Sequence, residues 1–150
     1  MIRKISTFDP ISNFNQAVKK LSNIGLRPTK QRMILIKLLF KNPDRHISAD
    51  QIYEEVKKED RKISLATIYN ALKQFTKLGL LKELVVDQNK SIYCTNHDPH
   101  YHLYIEDEGK VIDIPQKNID LNIPSIPACL SLHNVDVVVR VRTLKEKFKN

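Results

Sequence analysis

The stretch "ISLATIYNALKQFTKLGLLKELVVDQNKSIYCT", residues 63–95, narrows the possible folds more than any other part of this chain. Ser64 is placed to cap a helix whose apolar face is Leu65, Ile68, Leu72 and Phe75, and Gly79 is placed to close it. Thr67, Tyr69, Asn70, Lys73 and Gln74 are left pointing outward. Two short β-branched runs follow almost at once, around a turn at Asp87–Lys90, and predict a hairpin.

Three helical segments are expected before it. In "NFNQAVKKLSNIG", Phe14, Val18 and Leu21 fall at helical spacing and Gly25 suits a left-handed C-terminal stop. "RPTKQRMILIKLLFKN" starts a second helix with Thr29 as N-cap, Ile34, Leu35, Leu38 and Leu39 buried, and Pro43 as its end. "HISADQIYEEVKKED" holds a capping box between Ser48 and Gln51, with Ile52 and Val56 facing inward. Three helices and a hairpin make a winged helix-turn-helix, here with an extra leading helix, and the fourth helix is the one placed to enter a major groove.

Charge supports that reading. Residues 1–93 carry 18 Lys and Arg against 9 Asp and Glu, whereas residues 94–150 carry 7 against 8, so the net charge of +8 comes from the first part. A basic module joined to a near-neutral one suits a polyanion-binding half coupled to a half with another task. No apolar run reaches the roughly 18–20 residues of a membrane span. "MIRKISTFDP" is too polar for a secretory core, so a cytoplasmic location without membrane partners is expected. Cys94 and Cys129 are too few for a disulfide scaffold.

After Thr95 the pattern changes to strands: "HLYIEDE", "KVIDI" and "VDVVVRVR". Pro115, Pro124 and Pro127 argue against a long helix between the last two, and "TLKEKFKN" is expected to form two helical turns. The fold class is therefore α+β. Residues 1–12 form a poorly ordered N-terminus, residues 13–95 a winged-helix DNA-binding domain, and residues 96–150 a small dimerisation and sensing domain. So small a sheet leaves edges and apolar surface to be covered by a second copy.

"CTNHDPHYHLYIEDEG" holds three of the five histidines. On a strand His100 and His102 face the same side, which is chelating geometry for a first-row metal or for one axial face of haem. His97 and His133 are weaker candidates that also read as surface residues. No nucleophile–base pair, phosphate-binding glycine loop or pair of catalytic carboxylates is evident, so an enzyme is not expected.

The succession "GLRPTKQRMILIKLLF", "RHISADQIYEEV", "SLATIYNALKQFTKLGLL" and "HDPHYHLYIEDEGKVIDI" resembles the ferric uptake regulator family, and in particular its haem-linked iron response regulator subgroup, from about Phe14 to Val141. The resemblance implies a homodimeric winged-helix regulator of iron or haem homeostasis. It implies binding to A·T-rich palindromic duplex DNA under the control of a divalent metal (Fe, Mn or Zn) or of haem, with a haem-supplying protein as a further partner in the subgroup. It places Tyr69 and Asn70 at base edges, asparagine favouring adenine where arginine would favour guanine. Arg27, Thr29, Lys30 and Arg32 fall near phosphates at the start of the second helix, with Ser64, Thr67 and Lys73 completing the DNA face. The ligand set it implies is His46, Cys94, His100 and His102, bridging the two domains, with Cys94 where relatives have a carboxylate.

The departures from the family pattern are specific. Ile105 and Glu108 stand where many relatives carry a Cys-x-x-Cys pair for structural zinc. No four-cysteine zinc site is therefore expected, and the sheet is expected to be held by packing alone. A second family metal site is eroded, with Pro99, Tyr101 and Val135 replacing ligands and Asp120 the surviving candidate. The alternative reading is a haem- or metal-binding protein whose basic half does not bind duplex DNA.

Overall fold

The computed structural model describes residues 10–145. The chain divides after His97 into two compact units. In the first, four helices precede a hairpin: α1 (Pro10–Asn23), α2 (Lys30–Leu39), β1 (His46–Ile47), α3 (Ala49–Lys58), α4 (Leu65–Lys77), β2 (Lys82–Asp87) and β3 (Lys90–Cys94). The second holds β4 (His100–Ile105), β5 (Lys110–Pro115), a single 3-10 turn at Gln116–Asn118 and β6 (Val138–Val141). The fold is α+β, as the sequence predicts. Among the described residues no helix is long and apolar enough to cross a membrane.

Local chemistry sets the helix limits. The Thr29 hydroxyl accepts from the Arg32 amide, and the Ser64 hydroxyl accepts from the Thr67 amide. Ser48 and Gln51 form both bonds of the capping box. After α1 and α4, Gly25 (φ 76°) and Gly79 (φ 73°) take the left-handed conformation. Leu26 N–H then bonds back to the Leu21 carbonyl and Leu80 N–H to the Phe75 carbonyl, completing each C-terminal cap.

Several expectations need correction. α1 already includes Pro10–Ser12, because proline is tolerated in the first turn, where its missing N–H has no helical partner; residues 1–9 of the expected disordered segment lie outside the described residues. α2 stops at Leu39, before Pro43, and Asp44 turns the chain with a positive φ. Ile36 is buried on α2 beside Leu35, Leu38 and Leu39, while Ile34 is only half-buried. Of the expected helical tail, residues 143–145 are irregular and 146–150 lie outside the described residues.

One core holds the first unit together. Leu21, Leu35, Leu39, Ile52, Val56, Ile68, Leu72, Phe75 and Tyr93 are essentially inaccessible to water. Burying each aliphatic side chain stabilises by about 1.5–3 kcal/mol against leaving it exposed. Burial pushes the Tyr93 phenol up to about 12, helped by the charges of Glu83 and Tyr69, so it stays neutral at physiological pH.

Arg45 and Glu55 tie the loop after α2 to α3. The guanidinium binds both carboxylate oxygens and the Leu38 carbonyl, and Lys41 lies 3.2 Å from Glu55. Burial pushes the Glu55 carboxyl up, but the hydrogen bonds and charges of Arg45 and Lys41 outweigh it and hold it below its ordinary value. A depressed carboxyl adds stability that is present above its unfolded pKa and lost as pH falls through the folded one. Glu55→Gln is therefore expected to cost about 1–2 kcal/mol at pH 7. Denaturant titrations of the variant between pH 7 and 3 should show a shallower acid decline than the parent protein.

In the first unit β3 lies between β1 and β2, all antiparallel. In the second, β4 lies between β5 (antiparallel) and β6 (parallel). The three-stranded wing adds β1 to the expected hairpin, and β4 carries His100 and His102 on one strand, as expected.

Candidate metal centre and nucleic-acid interface

In the second unit, β4 presents His100 and His102 on one face, with their Nε2 atoms 2.9 Å apart. Both residues are buried, at 9% and 7% exposure. The His100 Nδ1 contacts the Asp98 carbonyl, which can only accept, so that nitrogen carries a proton. Antiparallel pairing sets Asp113 of β5 directly opposite His102. Its Oδ1 lies 3.2 Å from His100 Nε2 and 3.7 Å from His102 Nε2. Two ring nitrogens and a carboxylate oxygen thus converge on one buried point. Electron-rich atoms this close need a proton or a cation among them, and imidazole with carboxylate suits first-row divalent metals. The donor set fits a metal.

Asp113 is absent from the ligands expected from sequence. In sequence "KVIDI" reads only as a strand; the register of β4 against β5 shows that Asp113 meets His102.

The first unit carries a second donor pair. β1 places His46 opposite Cys94 at the end of β3. A ring nitrogen of His46 and the Cys94 sulfur lie within 4.8 Å, and Cys94 is 1% exposed. Of the weaker candidates, His97 is exposed and stacks at 6.3 Å on Phe40, and Asp120 and His133 are exposed.

The sheet of the second unit is not held by packing alone. The turn after β4, where the zinc pair was expected to be missing, is an acidic clamp. Glu106 pairs with Arg142 at 2.7 Å and with Arg140 at 3.5 Å. Asp107 accepts the Thr143 amide at 2.9 Å, and Glu108 pairs with Lys110 and the Thr143 hydroxyl. Hydrogen bonds from Arg142 hold the Glu106 carboxyl below its ordinary value, and the Thr143 backbone does the same for Asp107. A strong chelator is expected to leave the protein folded and associated, as read by circular dichroism and sedimentation. Loss of the dimer on chelation would show that a metal holds the sheet instead.

The basic unit presents α4 to solvent. Tyr69 is 36% exposed and Asn70 and Lys73 are exposed, while Thr67 and Gln74 are half-buried. Ser64 caps the helix and also contacts the Thr67 hydroxyl at 2.8 Å. Arg27, Thr29 and Lys30 are exposed around the start of α2. Arg32 is half-buried, and its guanidinium is engaged inside the protein, by the Arg27 carbonyl and Gln74.

A basic helical unit ending in a wing, followed by a small sheet with a buried histidine–carboxylate cluster, defines a winged-helix DNA-binding protein with a candidate metal centre. The ferric uptake regulator family matches residues 23–140, and the chain belongs to that family. The peroxide-responsive repressor PerR of Staphylococcus aureus (strain Mu50) is 35% identical over 105 residues, covering 69% of this chain and 70% of the relative. The ferric uptake regulator of Vibrio cholerae has a TM-score of 0.64 at 27% identity, covering 84% of this chain and 98% of that one. That of Francisella tularensis with iron has a TM-score of 0.66 at 21% identity, covering 79% and 92%, and supports the fold alone. The family's members are transcription regulators rather than enzymes; they bind DNA and metal and form dimers.

Proposed function

We propose that this chain is a cytoplasmic, homodimeric transcription regulator of iron or haem homeostasis, of the iron response regulator type. Its grip on an A·T-rich palindromic duplex is set by a metal ion or haem held jointly by His46, Cys94, His100, His102 and Asp113. The observation that carries this reading is the buried convergence of His100, His102 and Asp113 in a chain whose other unit is a basic winged helix. Only residues 95–99 separate Cys94 from His100, so the two donor groups are tethered by a short link.

A ligand shared by both units fixes their relative angle. In a dimer that angle sets the spacing of two recognition helices, and one spacing matches a palindrome. Binding energy at the ligand thereby becomes DNA affinity. Solved relatives hold iron, manganese or zinc. Cys94 tilts this chain toward softer ligands, Zn²⁺ or ferric haem, over Mn²⁺. Ile112, Leu130, Leu132 and Val139 are exposed apolar residues of the second unit that a second copy would cover.

The test is metal and haem analysis of protein purified anaerobically under reducing conditions, paired with DNA-binding curves with and without each ligand. A stoichiometric metal or haem that changes DNA affinity supports the reading, and its identity separates the metal form from the haem form. Protein that takes up neither, or whose DNA affinity ignores both, overturns it.

A further inference from the structure

A notch of about 260 Å³ lies between the start of α2 and the face of α4, lined by Thr29, Gln31, Arg32, Thr67, Asn70 and Gln74. Arg32 is the cation among them. The guanidinium Nη1 donates to the Arg27 carbonyl at 2.8 Å, and Nη2 donates to the Gln74 Oε1 at 3.2 Å. The Arg32 amide also donates to the Thr29 hydroxyl. One residue therefore joins the turn leading into α2, the cap of α2 and the third turn of α4.

Arginine has only donors, so the Gln74 atom that it meets must be the carbonyl oxygen. The NH₂ group of Gln74 then points the other way. A free glutamine pairs with adenine through both its oxygen and its nitrogen. With its oxygen accepting from Arg32, Gln74 is held in one orientation and its NH₂ remains available as a donor.

We infer that Arg32 is a positioning residue for DNA recognition, not a phosphate contact. It braces the 27–29 turn against the recognition helix and locks Gln74 so that its NH₂ faces an acceptor on the duplex, either a phosphate oxygen or the O6, N7 or O4 of a base. The inference rests on α4 being the helix that reads DNA. Lysine at position 32 keeps the charge but lacks the planar fork that reaches two acceptors at once. The brace thus needs the shape of arginine, whereas a phosphate contact needs mainly its charge.

The test is DNA binding by Arg32→Lys, Arg32→Ala, Gln74→Leu and Arg32→Ala/Gln74→Leu, each checked for folding by circular dichroism, with Tyr69→Ala in parallel. Specific and non-specific duplexes are titrated over a range of salt. We expect both Arg32 variants to lose about tenfold in specific affinity with the salt slope unchanged. The double variant should lose clearly less than the sum of the two single losses, because both single changes break the same contact. A Gln74→Leu loss confined to the specific duplex assigns the acceptor to a base, and an equal loss on both duplexes assigns it to a phosphate. A slope lowered by about one unit, with rescue by Arg32→Lys, would make Arg32 a phosphate contact and overturn the inference. Additive losses in the double variant would overturn it too. If Tyr69→Ala binds specifically like the parent, the assignment of α4 fails and takes this inference with it; if only the Arg32–Gln74 coupling is missing, the inference fails alone.

Discussion

Replacing both His100 and His102 with alanine is expected to abolish ligand binding, or to weaken it by at least about a hundredfold. The change removes two of three atoms that meet at one buried point and leaves only the Asp113 carboxylate there. His46→Ala is expected to behave differently. Most of the donor set survives, so part of the binding should remain, but under the proposed bridge Cys94 alone then holds the ligand to the first unit, and the link between ligand and DNA affinity should weaken sharply. Cys94→Asp should move the preference toward harder ions such as Mn²⁺ or Fe²⁺, because carboxylate replaces thiolate. Absorbance titrations with each metal and with haem, run beside DNA-binding curves, measure both quantities. A double-histidine variant that binds and responds like the parent would reduce the cluster to polar packing. Haem binding that ignores His46 and Cys94 would place haem on the sheet alone, and the bridge would be wrong.

Which parts of this site and fold are legible in sequence depends on the distance over which the information acts. The caps at Thr29, Ser48 and Ser64 and the stops at Gly25 and Gly79 involve neighbours three to five residues away, and all are readable in advance. The i, i+2 pair of His100 and His102 is equally local, since strand geometry alone aligns it. Contacts that depend on chain pairing are not readable in this way. β1 is two residues long, too short for any periodic pattern, and exists because Ile47 and His46 pair with Tyr93 and Cys94 far along the chain. Asp113 becomes a neighbour of His102 only when the turn at residues 106–109 folds β5 back on β4. The acidic clamp joins Glu106 to Arg142 across a proline-rich loop. In sequence, a run of three acidic residues looks like a solvated turn. Arg32 shows the same limit from the other side: among basic residues at a helix start it reads as a phosphate contact, and only the fold reveals that Gln74 meets it.

Tyr69→Ala is expected to weaken binding to the specific duplex by about ten- to a hundredfold while changing non-specific binding little. The reason is placement. Tyr69 stands on the exposed face of α4 beside Asn70, and α4 is held rigidly by Ile68, Leu72 and Phe75 in the core, so its outer side chains keep a fixed register against the groove. A side chain that touches base edges adds to specific binding alone, whereas one that touches phosphate adds to both. Lys30, exposed at the start of α2, should behave in the second way: Lys30→Ala is expected to weaken both duplexes and to lower the salt slope by about one unit. Asn70→Arg should move the preferred base from adenine toward guanine, because the guanidinium fork matches guanine O6 and N7. Titrations of specific and scrambled duplexes at several salt concentrations separate these cases. Intact specific affinity in Tyr69→Ala would mean that another surface of the basic unit reads the DNA.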